Sequence, residues 1–304
     1  MSDFKLNILG CGSAKPTSRH WPSSQVVDYR GNLMMVDCGE AAQVGMSRLG
    51  LKFSRLNHIF ISHLHGDHCF GLPGLVSTMA LHQKGGQLTI HMFREGIEVF
   101  RPFLEYFCRE MPFELKFNEV PARERSLVLE TPSLTVEAFP LKHRVPCVGY
   151  LFREKPKQRH LRPDMIRFHE IPVSQLRAIK EGADFTDRNG RVIPNSWLTT
   201  DADPSKSYAY CSDTMYYPRL VDVVGGVDLL YHEATYGEEL KATARERGHS
   251  TAAEAATIAR DAAVGRLLLG HYSSRYRDEQ PLLEEARKIF PRTDLAYEGM
   301  VVDI

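Results

Sequence analysis

Five short apolar runs in this chain each lead into a histidine, aspartate or glutamate, and that recurrence limits the folds open to it. His58-Ile59-Phe60-Ile61 leads into Ser62-His63-Leu64-His65-Gly66-Asp67-His68. Leu134 to Leu141 leads to His143, and Tyr208-Ala209-Tyr210-Cys211 to Asp213. Leu229-Leu230-Tyr231 reaches His232-Glu233, and Leu267-Leu268-Leu269-Gly270 reaches His271. Runs of this length bounded by polar residues read as buried strands. Polar side chains on loops at strand exits are well placed to line a cleft. A sheet that brings the exits to one edge gathers all five. His63 and His65 alternate, so in extended backbone both imidazoles point the same way. Asp67 and His68 are adjacent and diverge, which suits a second metal beside the first. Imidazole with carboxylate is a ligand set that suits zinc without any cysteine.

Seven side chains suffice for two ions. His63, His65 and His143 are placed to hold one; Asp67, His68 and His271 hold the other; Asp213 bridges. Two cations about 3.5–4 Å apart stabilise the attacking and leaving oxygens of a phosphoryl displacement, and hydroxide becomes available near pH 7. Asp67 is the acceptor for the proton of the attacking water. His249, oriented by Glu233, is the candidate proton donor to the leaving alkoxide, or else a structural residue at a helix entrance. That helix begins at Ala252, with Ser250 or Thr251 at its N-cap and Glu254 at capping-box distance from Thr251. Arg275 either stabilises charge at phosphorus or joins a structural ion pair. Asp37, at another strand end, either orients a ligand histidine or caps a helix beginning near Ala41. Cys69 reads as a small buried residue.

The rest of the chain reads as strands interleaved with helices in one α/β unit spanning 1–304. Phe4–Leu9 is a strand, Ser24–Tyr29 and Leu33–Val36 form a hairpin, and Gln43–Leu49 and Leu72–His82 are helices. Glu95–Glu110 is a helix interrupted near Pro102, and Leu295–Asp303 is a last strand. Residues 153–207 change character. Arg153, Lys155, Lys157, Arg159, Arg162 and Arg167 lie close together, a short helix ends at Gly182, and Asn189-Gly190 signals a hairpin turn. This segment reads as an inserted arm with little core, one helix and one hairpin. Its cations are either a solvated face or a surface for a polyanion. With 304 residues, 43% hydrophobic and 25% charged, the chain has the composition of an ordinary globular protein. A formal net charge of zero excludes a bulk-basic nucleic-acid binder but allows a local basic surface. No apolar run approaches the roughly 18–20 residues of a membrane helix. The N-terminus has no signal-peptide layout, and six cysteines without Cys-x-x-Cys suggest reduced thiols and a cytoplasmic home.

The pattern His63-x-His65-x-Asp67-His68 with His143, Asp213 and His271 resembles the metallo-β-lactamase superfamily. Further motifs are similar to the short form of the ribonuclease Z family: Leu9-Gly10-Cys11-Gly12-Ser13, Val36-Asp37-Cys38-Gly39-Glu40, Ser212-Asp213-Thr214, His232-Glu233-Ala234-Thr235, Gly248-His249-Ser250-Thr251 and His271-Tyr272-Ser273-Ser274-Arg275-Tyr276. The likeness runs nearly end to end. It implies an αββα sandwich with an inserted exosite arm, two zinc ions per chain (manganese tolerates the same donors), and a homodimer. It also implies cleavage of precursor tRNA after the discriminator nucleotide, leaving a tRNA 3′-hydroxyl and a 5′-phosphate on the trailer. The family's arm usually carries a Gly-Pro-rich stretch after its Ile-Pro. Here Ile171-Pro172 is followed by Val173-Ser174-Gln175 instead, so the way this arm grips tRNA differs. Two rivals stand beside this reading. One is a hydrolase of the same fold acting on a small phosphodiester, lactone or thioester; the other is a metal-free RNA-binding or scaffold subunit.

Overall fold

The computed structural model describes residues 3–108 and 110–304. Met1 and Ser2, part of the start read as leader-free, lie outside the described residues, as does Arg109, inside the helix expected to reach Glu110. Two seven-stranded sheets carry the core. In spatial order the first contains Val301–Asp303, Phe4–Gly10, Ser24–Tyr29, Asn32–Cys38, Leu56–Phe60, Gln87–Met92 and Glu114–Glu119. The second contains Thr293–Leu295, Arg266–Gly270, Leu229–Glu233, Ser207–Cys211, Val148–Glu154, Leu134–Pro140 and Ser126–Glu130.

Parallel pairing within each sheet directs four of the five exits, all but that at His143, toward a common edge of their sheet. Asn32–Cys38, Leu56–Phe60 and Gln87–Met92 run parallel, as do Ser207–Cys211, Leu229–Glu233 and Arg266–Gly270. Strands buried on both faces read as unbroken apolar runs, and every residue of Leu229–Glu233 is buried. In register, Cys211 lies beside His232 and Glu233 beside Gly270, so Asp213, Glu233 and His271 leave the sheet side by side. Tyrosines tie the facing sheets together. The Tyr150 hydroxyl donates to the Ile61 carbonyl at 2.7 Å, Tyr210 donates to Asp37 at 2.7 Å, and Tyr208 donates to Gln25. Helices Ala42–Arg48, Leu72–Leu81 and Arg94–Phe107 cover the outer face of the first sheet, burying Met46, Leu75, Val76 and Leu104 against Met35, Ile59 and Ile90. Ala252–Asp261 and Gln280–Arg287 cover the second sheet. The layers are therefore α, β, β, α.

Several local expectations were met for identifiable reasons. Arg30 and Gly31, both at positive φ (53° and 78°), form the two-residue turn that suits the twist of the hairpin strands. Three differ. Arg94–Phe107 continues through Pro102 without interruption. The stretch expected as one last strand splits in two, Thr293–Leu295 in the second sheet and Val301–Asp303 in the first. Ser126–Glu130 and Val148–Glu154 are strands that periodicity did not reveal.

Residues 131–134 and 153–205 form a second compact unit. It has more core than expected. Ile171, Ile179, Ile193 and Leu198 are buried together, with Leu161, Met165 and Phe185 packed against them. Three short helices (Pro163–Phe168, Leu176–Lys180, Asn195–Leu198) and two ribbons (His160–Leu161 with Thr199–Thr200, Phe185–Thr186 with Val192–Ile193) surround this cluster. Much of its charge is paired internally: Lys157 with Glu154 (2.7 Å), Arg159 with Asp201 (2.8 Å), Arg162 with Asp164 (3.2 Å) and Arg177 with Glu181 (3.1 Å). Between 153 and 205 eight carboxylates accompany ten Lys and Arg residues, so the unit is only mildly basic. No helix among the described residues is long and apolar enough to cross a membrane.

Candidate metal centre

The seven proposed ligands lie in two groups with Asp213 between them. His63 Nε2 is 3.0 Å from His65 Nδ1 and 3.7 Å from Asp213 Oδ2. His143 Nε2 is 3.4 Å from His65 Nδ1 and 3.8 Å from the same Asp213 oxygen. In the second group His68 Nε2 and His271 Nε2 are 3.3 Å apart, and each is 3.5 Å from Asp67 Oδ2. Asp213 Oδ1 turns toward this group, 3.5 Å from His68 and 3.1 Å from His271. Donors around a tetrahedral ion with bonds of about 2.0–2.1 Å sit about 3.3 Å apart. The observed spacings match that edge.

The far side of four of the five imidazoles shows that their near nitrogens present lone pairs. Ser62 Oγ donates to Asp37 Oδ2 (2.8 Å), so it accepts from His63 Nδ1 (3.0 Å). His68 Nδ1 donates to Asp37 Oδ2 at 2.7 Å, and His143 Nδ1 to the Gly248 carbonyl at 2.7 Å. Thr235 Oγ1 donates to Glu233 Oε2 (2.5 Å), so it accepts from His271 Nδ1 (2.9 Å). Four inward Nε2 lone pairs and two carboxylates therefore face one another among largely buried side chains, an arrangement that cations stabilise. The field calls for positive charge at His68, whether a cation or a proton: burial pushes His68 down, yet Asp213, Asp37 and Asp67 raise it to about 10. The pocket demands positive charge.

Asp37 is fully buried and receives Ser62 N–H (2.7 Å), Ser62 Oγ, His68 and Tyr210. It orients ligand candidates and does not cap the helix after Ala41, whose N-cap makes no side-chain bond. Glu233 is buried and lowered in pKa: burial opposes ionisation, but His249 outweighs it. Its Oε1 accepts from Thr214 N–H (2.7 Å) and His249 Nδ1 (3.0 Å), its Oε2 from Thr235 and Ser250 N–H (3.1 Å). Burial lowers His249, but Glu233 and Asp213 raise it to about 9. The cap of Ala252–Asp261 is Thr251 with Glu254, in a full capping box, so the His249 side chain has no capping task. Gly248 lies at φ +83°, and a Cβ there would meet His143 Nδ1 at 2.8 Å. Asp67 Oδ2 also accepts the Ala14 N–H at 2.7 Å. Arg275 lines the cleft and joins no ion pair among the described residues. Cys69 is buried, its thiol on the His65 carbonyl. Sequence reasoning missed Ser62 and Thr235, whose hydroxyls act only through partners brought in by folding.

The layered sheets and the paired His/Asp groups at their edge define a metal-dependent hydrolase of the metallo-β-lactamase fold. Residues 167–272 match a model described as a beta-lactamase superfamily domain, and residues 4–143 one described as anti-Pycsar protein Apyc1. The chain is 54% identical over 304 residues to "Ribonuclease Z" of Parabacteroides distasonis, covering all of both chains. It is 52% identical over 305 residues to that of Porphyromonas gingivalis, again covering both fully. Human tRNase Z, short form, superposes with a TM-score of 0.70 at 25% identity over 99% of each chain. The metallo-beta-lactamase fold protein YhfI from Bacillus subtilis gives 0.69 at 20% identity over 98% of each chain and shows the shared fold. The chain belongs to the ribonuclease Z family, endoribonucleases that depend on divalent metal.

Proposed function

We propose that this protein is a two-zinc endoribonuclease that removes the 3′ trailer from precursor tRNA, leaving a 3′-hydroxyl on the tRNA and a 5′-phosphate on the trailer. The observation that supports the reading is the placement of Asp213, with one oxygen toward each ligand group, where it would bridge two ions. His63, His65 and His143 would hold one ion, and Asp67, His68 and His271 the other. Ions there supply Lewis acidity at phosphodiester oxygens and a water that ionises near neutral pH. Asp67, ionised through its histidine neighbours although burial opposes it, would help hold the second ion and accept a proton from the attacking water. His249, cationic beside Glu233, gives a proton to the leaving 3′ oxygen. Arg275, unpaired in the cleft, stabilises charge on the non-bridging oxygens. The unit at 153–205 serves as the exosite for tRNA, through shape and exposed side chains such as Phe168 and Trp197 as much as through charge. The protein works in the cytoplasm as a homodimer.

End-mapping the products of one precursor tRNA, with and without chelator, tests this. A cut directly after the discriminator that chelator abolishes is expected. An intact precursor beside rapid hydrolysis of a small phosphodiester would instead favour the small-substrate hydrolase.

A further inference from the structure

His249 stands between two cavities. On one side is the metal cleft, of about 640 Å³; on the other is a space of about 880 Å³ whose charged and aromatic lining is Lys142, Tyr216, Lys241 and Arg245 together with the carboxylates Glu246 and Glu254. The reaction above has no use for the second cavity. Its walls are nevertheless carried by the catalytic loops. Lys142 precedes His143, and its carbonyl accepts the Met215 N–H at 2.8 Å. Tyr216 follows Asp213 by three residues on a loop pinned through Thr214 N–H to Glu233. Arg245 is four residues before His249, on the helix Lys241–Arg247. Anything bound there is held in register with the metal ligands.

Glu254 faces Lys241 at 3.8 Å, and the side of the cavity formed by Lys142, Tyr216 and Arg245 has the chemistry of a nucleotide site. Tyr216 is 36% exposed and offers a ring to the cavity. Lys142 and Arg245 are exposed and joined to no carboxylate among the described residues, whereas Lys241 is engaged by Glu238 at 2.6 Å. A stacking ring beside unpaired cations suits a base with its phosphate. Direction follows from position. His249 lines both cavities, and on the proposed reading it faces the leaving 3′ oxygen, so the space beyond it adjoins the leaving nucleotide, the last one of the tRNA body.

We propose that this cavity binds the nucleotide on the 3′-hydroxyl side of the cut, its base stacked on Tyr216 and its 5′-phosphate held by Lys142 and Arg245. The proposal rests on the trailer-removing reading and adds the subsite that sets the cleavage position.

The test crosses enzyme variants with two precursors, one with a normal base at that nucleotide and one abasic there. Tyr216→Ala should lower kcat/KM roughly ten-fold on the normal precursor. Removing the base should slow the unaltered enzyme comparably, and Tyr216→Ala should add little further loss on the abasic substrate. Tyr216→Phe should restore the normal rate. Equal losses for Tyr216→Ala on both precursors, or none on the normal one, would overturn the subsite while leaving the activity established. An unaltered enzyme that cuts neither precursor yet hydrolyses a small diester would remove the underlying reading and the subsite with it.

Discussion

Glu233, expected to orient His249, receives four hydrogen bonds and reaches two histidines of the candidate site. Through Thr235 it fixes the tautomer of His271, so one buried carboxylate orients both a proposed metal donor and the proposed proton donor. Thr235→Val keeps the shape and removes that acceptor. Metal affinity should fall about 10–100-fold, read by competition with a chromogenic chelator. His271→Ala should abolish cleavage and lower bound metal. His249→Ala should slow turnover by about 10²–10⁴ with metal retained; metal analysis beside single-turnover rates separates the two. The histidines and acids were legible because few other roles place such residues after apolar runs. Ser62 and Thr235 were not, since a hydroxyl after a strand is common and its use here depends on Asp37 and Glu233 turning it into an acceptor.

The elements show the same division. Strands such as Leu229–Glu233 and Arg266–Gly270 announced themselves through the unbroken apolar runs Leu229-Leu230-Tyr231 and Leu267-Leu268-Leu269, as expected of buried parallel strands. Val148–Glu154, VGYLFRE, hid because a glycine and a loop of charges interrupt any period. Gly149 is there because a Cβ would meet Phe139 and the Tyr210 carbonyl, a reason visible only across neighbouring strands. Pro102 reads locally as a break, but Leu104 anchors its helix in the core and the amphipathic face overrides it. The segment at 153–205 was legible as an insertion but not as a unit with its own cluster of isoleucines. Because its core is its own, deleting 153–205 with a short linker should leave hydrolysis of a small phosphodiester measurable while lowering kcat/KM on precursor tRNA by at least ten-fold. Equal kcat/KM on tRNA before and after deletion would show that the unit is not the exosite.

Across the whole molecule, Glu298 binds His20 Nδ1 (3.0 Å) and the Trp21 N–H (3.0 Å), tying the loop before the second strand to the turn between the two halves of the expected last strand. The Glu298 carboxylate raises His20 above its ordinary 6.5 despite burial; burial opposes ionisation of Glu298, but His20 lowers it below 4.5. Stability from His20 is therefore full below about 6.5 and fades as pH rises through its raised value. That from Glu298 is full above about 4.5 and fades as pH falls through its lowered value. Glu298→Gln should cost about 2 kcal/mol at pH 5.5 in urea unfolding, and less at pH 9. The split of 293–303 has a further consequence. Lys5 pairs with Asp303 and Asn7 with Val301, contacts spanning almost the full sequence. Non-local pairing of this kind slows folding. On the ribosome, Phe4–Gly10 must wait with one edge open until residues 301–303 emerge, so the first strand made is among the last to be completed.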